Sequence, residues 1–290
     1  MLRVMAATLA AGQAAVLGAV QGLTEFVPVS SSAHLVIVPF LARWPVPDLA
    51  FDVSVHLGTA LAVVVYFRRD LWGLLVGTVR TVARRGDAED RDHARLVFLL
   101  VVASVPAGVA GIFLEGPFED LFTTAGDVER VGAAVVGVAL LGTAALLLAG
   151  EAVHRRRGPD HRDVRGISMW DALTVGIFQA VAIVPGISRS GATIAAGLFR
   201  GLGREASARF SFLLSLPAIV GAAAISLPDV PAGADWGALG VATAVAAVAG
   251  FAAIAFLLRY LRTRSLRPFA AYCILTAAVT LVVWFVRSPG

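Results

Sequence analysis

The chain has 290 residues, of which 58% are apolar and only 15% charged, with a mean hydropathy of +0.82. A soluble domain carries about 25% charged residues, so this chain lacks the polar surface to cover a globule of its length. Disordered, collagenous, disulfide-stapled and nucleic-acid-binding classes are excluded. The net charge of +4 comes from 24 basic residues that are all Arg, mostly in short connections between apolar stretches.

Seven intervals enclose roughly 17–23 uncharged residues each, the length that spans hydrocarbon: Arg3 to Glu25, Arg95 to Glu115, Arg130 to Glu151, Asp171 to Arg189, Arg209 to Asp229, Asp235 to Arg259 and Arg267 to Arg287. The fold class is therefore an all-α, polytopic integral membrane protein. In chain order, helical segments are expected at 5–27, 31–43, 51–68, 95–115, 130–150, 170–184, 190–200, 208–227, 236–259 and 268–286. The first is read as part of the mature fold, not a cleaved signal, because its apolar run continues to Val29 past the small residues near Ala11. The single Cys273 lies in the last apolar span and reads as a small packing residue.

The connections differ in charge. Residues 68–95 carry seven Arg against five acids, 151–165 five against three, and 259–267 four Arg with no acid. Residues 115–130 hold five acids and one Arg, and 228–235 two acids and none. Arg excess marks the cytoplasmic side, so 68–95, 151–168, 200–209 and 259–267 are expected inside, 115–130 and 228–235 outside. Segments 5–27 and 31–43 are broken at Pro28, and 170–184 and 190–200 at Pro185-Gly186. Each pair reads as a re-entrant hairpin, the first entering from outside and the second from inside.

The two breaks also resemble each other. Gly18-Ala-Val-Gln21 followed by Val27-Pro28-Val-Ser-Ser-Ser parallels Gly176-Ile-Phe-Gln179 followed by Val184-Pro185-Gly-Ile-Ser-Arg-Ser. Three spans follow each hairpin. Three is odd, so the expectation is an inverted-topology repeat, 1–150 and 151–290, forming one membrane domain. Paired, interrupted apolar segments point to a site at the bilayer midplane.

A broken helix inside hydrocarbon is tolerated only where it is enclosed by protein or lines a wet cavity, and the residues at these breaks suit a phosphate. Ser30, Ser31, Ser32, Ser188 and Ser190 would stand at helix N-termini, where free N–H groups favour an anion. Arg189 offers a planar fork for phosphate oxygens, and Gly186 and Gly191 let backbone come close. Gln21 and Glu25 are four apart and share a helix face. Glu25 could hold Mg²⁺ or Ca²⁺ against phosphate oxygens, and His34 could move a proton. One of the three serines, His34 or activated water is the nucleophile. Thr193 is undecided, and His56 and Asp52 read as supporting or interface residues.

Gln21-x-x-x-Glu25 with Pro-Val-Ser-Ser-Ser-x-His34, and Pro185-Gly-x-Ser-Arg-Ser-x-x-Thr193, resemble the signatures of the undecaprenyl-diphosphate phosphatase family, also called bacitracin-resistance proteins. The resemblance implies removal of the terminal phosphate from a C55 polyprenyl diphosphate, yielding the monophosphate carrier used for peptidoglycan. It also implies a divalent cation (Mg²⁺ or Ca²⁺), bacitracin resistance through loss of the diphosphate that the antibiotic sequesters, and an outward-facing site in the bacterial cell membrane. Glu25, Ser31, His34 and Arg189 match residues regarded as catalytic in that family. Gln21, Ser188, Ser190 and Thr193 match motif positions around the phosphate, with Ser30, Ser32 and Gly186 beside them. Gln21 cannot supply a second carboxylate, which departs from a two-carboxylate metal site. The expected mechanism has Ser31 attacking phosphorus, with His34 assisting proton transfer. A carrier or flippase of isoprenyl phosphate is the alternative. The partners expected are the prenyl diphosphate, the lipid bilayer and, as a candidate, a second copy of the chain; nucleic acid is not.

Overall fold

The computed structural model describes residues 9–124, 128–158, 161–231 and 233–287, and within 114–124 and 128–131 the backbone alone. Residues 5–8 of the first expected helix and 125–127 of the acidic connection lie outside the described residues. Every named element is a helix, and the one isolated bridge pairs Arg162 with Leu202. The order is α1 (Ala11–Phe26), α2 (Ser31–Ala42), α3 (Leu49–Tyr66), α4 (Arg68–Val82), α5 (Ala88–Thr124), α6 (Val128–Arg156), α7 (Met169–Val181), α8 (Arg189–Phe199), α9 (Arg204–Ser226), α10 (Trp236–Leu261) and α11 (Arg267–Val286).

Among the described residues, six helices are long and apolar enough to cross a bilayer: α3, α5 over Ala88–Phe113, α6 over Gly132–Arg156, α9, α10 and α11. At 1.5 Å per residue the shortest, of 18 residues, is about 27 Å long, close to the hydrocarbon thickness. Large apolar side chains such as Phe98, Ile112, Phe113, Val248 and Phe285 are exposed along them. In water that surface would be a liability; against lipid chains it is the expected outer face. The chain is an all-α polytopic membrane protein.

The two interrupted pairs are α1–α2 and α7–α8, of 16, 12, 13 and 11 residues. Proline ends α1: Pro28 has no N–H to continue the helix, and the C-cap Val27 is already extended. The α7–α8 turn depends on Gly186, at φ 97°, where a Cβ would stand 2.7 Å from Ala139 Cβ on α6. Each hairpin is backed by a crossing helix at close range. A Cβ on Gly18 would meet the Ala242 carbonyl of α10 at 2.5 Å, and one on Gly176 the Ala103 carbonyl of α5 at 2.4 Å. Behind the tips, Phe26 sets its ring edge-on against Phe212 of α9, with centroids 5.2 Å apart, and both are fully buried.

Two connections hold more structure than their charge suggested. The Arg-rich stretch 68–95 contains α4 and the first turns of α5, packed side by side. Leu74 and Gly77 are buried on the inner face of α4, and His93 of α5 lies over Gly73 and Gly77. Four charges in 15 residues lowered the hydropathy and concealed an amphipathic repeat whose outer stripe is Trp72, Leu75, Val79 and Val82. Likewise α5 continues to Thr124 through the start of the acidic stretch 115–130. Phe118, Leu121 and Phe122 stand at helical spacing there, which the acids and Gly116-Pro117 disguised.

Arginines also staple the chain ends of the second hairpin. Asp171, fully buried at the start of α7, accepts from Arg162 Nη1 at 2.6 Å and from Arg200 Nε at 2.7 Å, so the two legs of α7–α8 are tied at their base. Arg162 also donates to the Arg200 carbonyl. Glu151 of α6 pairs with Arg204 of α9 and accepts from the Leu266 N–H. Asp171→Ala should remove the base clamp and cost about 2–3 kcal/mol, the net worth of a hydrogen bond to a charged group, because the half-exposed arginines can turn to water. Thermal unfolding in detergent reads this as a lowered Tm, with Asp92→Ala, an exposed acid of α5, as the unshifted control.

Candidate active site

The hairpin tips meet inside the bundle. Ser30 caps α2, its Oγ accepting from Ala33 N at 3.3 Å, and Ser188 caps α8, its Oγ accepting from Gly191 N at 3.0 Å. Each cap lies 3.2 Å from the hydroxyl two residues on, Ser32 and Ser190 respectively. Ser30 takes φ 69°, a left-handed conformation that costs a non-glycine residue on the order of 1–3 kcal/mol and tends to cluster at functional sites. Across the interface, Gly186 N donates to Ser32 Oγ at 3.4 Å and Ser190 Oγ donates to the Val27 carbonyl at 3.4 Å. Thr143 of α6 seats the second tip, accepting from Ser188 N at 2.9 Å and donating to the Gly186 carbonyl at 3.4 Å.

Glu25 is the hub. Its Oε1 accepts from Arg189 Nη2 at 2.5 Å. Its Oε2 accepts from Ser31 Oγ at 2.5 Å and from Gln21 Nε2 at 3.0 Å. His56 Nε2 of α3 lies 3.9 Å from the same oxygen, with its Nδ1 donating to the Asp52 carbonyl at 2.7 Å. The carboxylate is 7% exposed and the guanidinium 19%. A charge pair so placed is stable only with its remaining hydrogen-bonding capacity used. Glu25 meets that condition with three donors. Arg189 does not: its Nη1 is buried with no partner among the described residues, as are Gln21 Oε1 and Asp52 Oδ1. The fork thus holds Glu25 with one nitrogen and keeps the other for an acceptor not supplied by the protein.

The structure brings together Gln21, Glu25, Ser31 and Arg189 directly, with Ser30, Ser32, Gly186, Ser188 and Ser190 framing them. Two expected residues are engaged elsewhere. Thr193 Oγ1 donates back to the Arg189 carbonyl at 2.8 Å and meets Ser211 Oγ of α9 at 2.7 Å, so it fastens the first turn of α8 to α9. His34 directs both ring nitrogens away from the serines' hydroxyls: Nδ1 is 2.7 Å from the Ser30 carbonyl, and Nε2 is 2.8 Å from Tyr272 Oη of α11. Ser31 hands its hydrogen bond to Glu25, not to His34. Thr143 was missed in the sequence because it is a lone polar residue in an apolar span, and Tyr272 because nothing local sets it apart from Thr276 and Thr280 of the same span. His56 was underrated because its distance from Glu25, 31 residues in sequence, is a tertiary fact.

The donor set can be tested against a hard divalent cation. Among the described residues no cluster of three or more His, Cys, Asp or Glu side chains forms a metal site. Mg²⁺, however, binds through one or two carboxylates with the remainder from water and substrate phosphates. Glu25 and the orphaned Gln21 Oε1 fit that sparse pattern and do not fit an all-protein cage.

Fold and site together describe a polytopic membrane protein with two broken-helix hairpins whose serine-capped tips meet around the Glu25–Arg189 pair. The chain belongs to the family described as bacitracin resistance protein BacA, whose model matches residues 14–279. Relatives include the undecaprenyl-diphosphatase of Moorella thermoacetica, 42% identical over 95% of this chain and 98% of that protein. Undecaprenyl-diphosphatase 2 of Stutzerimonas stutzeri is 41% identical over 94% and 97%, and the undecaprenyl-diphosphatase of Thermomicrobium roseum 43% over 93% and 97%.

Gly186→Ala should impose a left-handed φ on a residue with a Cβ and drive that Cβ into α6. The two effects, about 1–2 kcal/mol and about 1–3 kcal/mol, act at the tip itself. Activity is expected to fall more steeply than Tm, whereas Gly142→Ala, with open space around its Cβ, should change neither.

Proposed function

We propose that the chain hydrolyses undecaprenyl diphosphate to undecaprenyl phosphate and inorganic phosphate, returning the carrier lipid to envelope synthesis and conferring bacitracin resistance. The names and identities of its relatives support the reaction. The buried, unpaired Nη1 of Arg189 beside the Ser31–Glu25 hydrogen bond is the observation that carries it, because a nucleophile, its proton acceptor and a free phosphate donor stand together. Binding alone would not require a serine hydroxyl held at 2.5 Å from a carboxylate.

In this reading the terminal phosphate lies against Arg189 Nη1 and the Ser-capped start of α8. Ser31 Oγ attacks phosphorus as its proton passes to Glu25 Oε2, and the P–O bond to the lipid monophosphate breaks. Water then attacks the phosphoseryl group, with His34 taking the water proton; the Ser31 Oγ–P bond breaks as Glu25 returns its proton to Oγ, inorganic phosphate leaves, and His34 gives its proton up to solvent. Positioning and electrostatic neutralisation supply most of the rate in phosphoryl transfer. A divalent cation bound through Glu25 and Gln21 Oε1, together with substrate oxygens, would neutralise diphosphate charge. The two halves form an inverted repeat, a proposal supported by the paired Ser caps and by the matching approaches of Gly18 to α10 and Gly176 to α5.

The pocket faces the outer side of the cell membrane. His56, whose side chain is 36% exposed, lies in the half of α3 away from Arg68 and Arg69, and Arg-rich ends mark the cytoplasm.

Detergent-solubilised protein should release phosphate from a prenyl diphosphate, which a carrier needing two compartments would not do. Arg189→Ala should lower kcat about 10²–10³-fold, the effect of deleting one charge-stabilising donor, while Arg156→Ala, exposed at the end of α6, leaves it unchanged. Equal rates for the two variants would overturn the assignment. EDTA should abolish turnover and Mg²⁺ or Ca²⁺ restore it; full activity after chelation would remove the cation from the proposal.

A further inference from the structure

Neither motif contains Tyr272, yet it makes the most specific contact to His34. A carbonyl oxygen only accepts, so the 2.7 Å contact between His34 Nδ1 and the Ser30 carbonyl places the ring proton on Nδ1. Nε2 is then a lone pair, and at 2.8 Å the Tyr272 hydroxyl must be the donor. The rings also lie nearly parallel, 10° apart, with centroids separated by 5.6 Å. His34 is 5% exposed, while Tyr272 is 44% exposed.

The register of Tyr272 is fixed on both sides. Its neighbour Cys273 lies fully buried with Sγ 3.8 Å from the Pro28 carbonyl at the first tip. At the far end of α11, Arg287 donates to the Phe40 carbonyl at 2.7 Å and lies over the Phe40 ring at 5.0 Å. Helix α11 is thereby tethered to the first hairpin at its tip and, through Arg287, near the end of α2, and the phenol stands where the imidazole ends. The opposing contact is equally fixed, since the Ser30 carbonyl belongs to the residue at φ 69° that caps α2.

We propose that Tyr272 is a positioning residue for His34: the phenol and the Ser30 carbonyl together hold the imidazole in one tautomer and one orientation, leaving Nε2 as its single proton-accepting atom. The proposal rests on the reading of His34 as the group that takes the water proton. The water takes the phenol's place at the single Nε2 lone pair while its proton is transferred, and once Nε2 is protonated the phenol oxygen, which has lone pairs of its own, accepts from it. The contact therefore forms in both protonation states, as a reusable proton acceptor requires.

Tyr272→Phe keeps the ring and removes only the hydroxyl. Steady-state kinetics on a prenyl diphosphate should show kcat reduced about 10–100-fold, at or below the low end of general acid–base contributions, with KM changed less than about twofold. In protein carrying ¹⁵N-labelled histidine, the His34 ring nitrogens, identified by their loss in His34→Gln, should show the Nδ1-protonated pattern in the wild type and a mixture of tautomers in Tyr272→Phe. Tyr272→Leu, which also removes the stack, should lose at least as much kcat. An unchanged kcat in Tyr272→Phe, a rise in KM alone, or an unchanged nitrogen pattern would each overturn the proposal. Full activity in His34→Ala would overturn the catalytic reading of His34 instead, and the nitrogen spectrum of the wild type separates that failure from a failure of the Tyr272 contact.

Discussion

A carboxylate and a guanidinium facing each other inside the helical bundle, Glu25 and Arg189, are the contact on which the rest of the molecule depends. Each charge alone would be expensive within hydrocarbon. Together, with Ser31 and Gln21 completing the carboxylate, they join two helical breaks that would otherwise expose unpaired backbone. The serine caps, the left-handed Ser30 and Gly186, and the Thr143 bracket on α6 serve to hold those breaks in register. The six long helices form the wall that excludes lipid from them.

The same pair leaves part of the arginine unengaged. Glu25 draws on only one nitrogen of the fork. In the proposed reaction a phosphate oxygen would engage the other, so that binding would require no prior loss of the ion pair. Tyr272 and His34 extend the contacts to a third side, from α11, and in the proposed reading keep the proton-accepting nitrogen in a defined state.

Much of this was legible in the residues. The apolar intervals gave six spans and two broken hairpins because lipid requires near-continuous apolar runs, leaving few ways to read them. Gln21 and Glu25 declared a shared face by their spacing, and Arg189 declared a function by standing in an apolar stretch. Helix α4 was hidden because its outward stripe and inward leucines share the segment with four charges, a pattern that hydropathy averages away. Thr193 looked like a ligand because it follows Ser-Arg-Ser by a helical turn, but that turn directs it to Ser211. His34 was expected to assist proton transfer, with no partner named for its ring. Its actual partner is 238 residues away on α11, and no local pattern carries that distance.

The separation of Glu25 and Arg189, 164 residues, has a consequence for biogenesis. The first hairpin leaves the ribosome long before its counter-ion exists. During that interval its carboxylate must stay solvated near the bilayer surface or take up a proton. The ion pair can close only once the second hairpin has been made, by which time α3, α5 and α6 have been synthesised and α9, α10 and α11 have not.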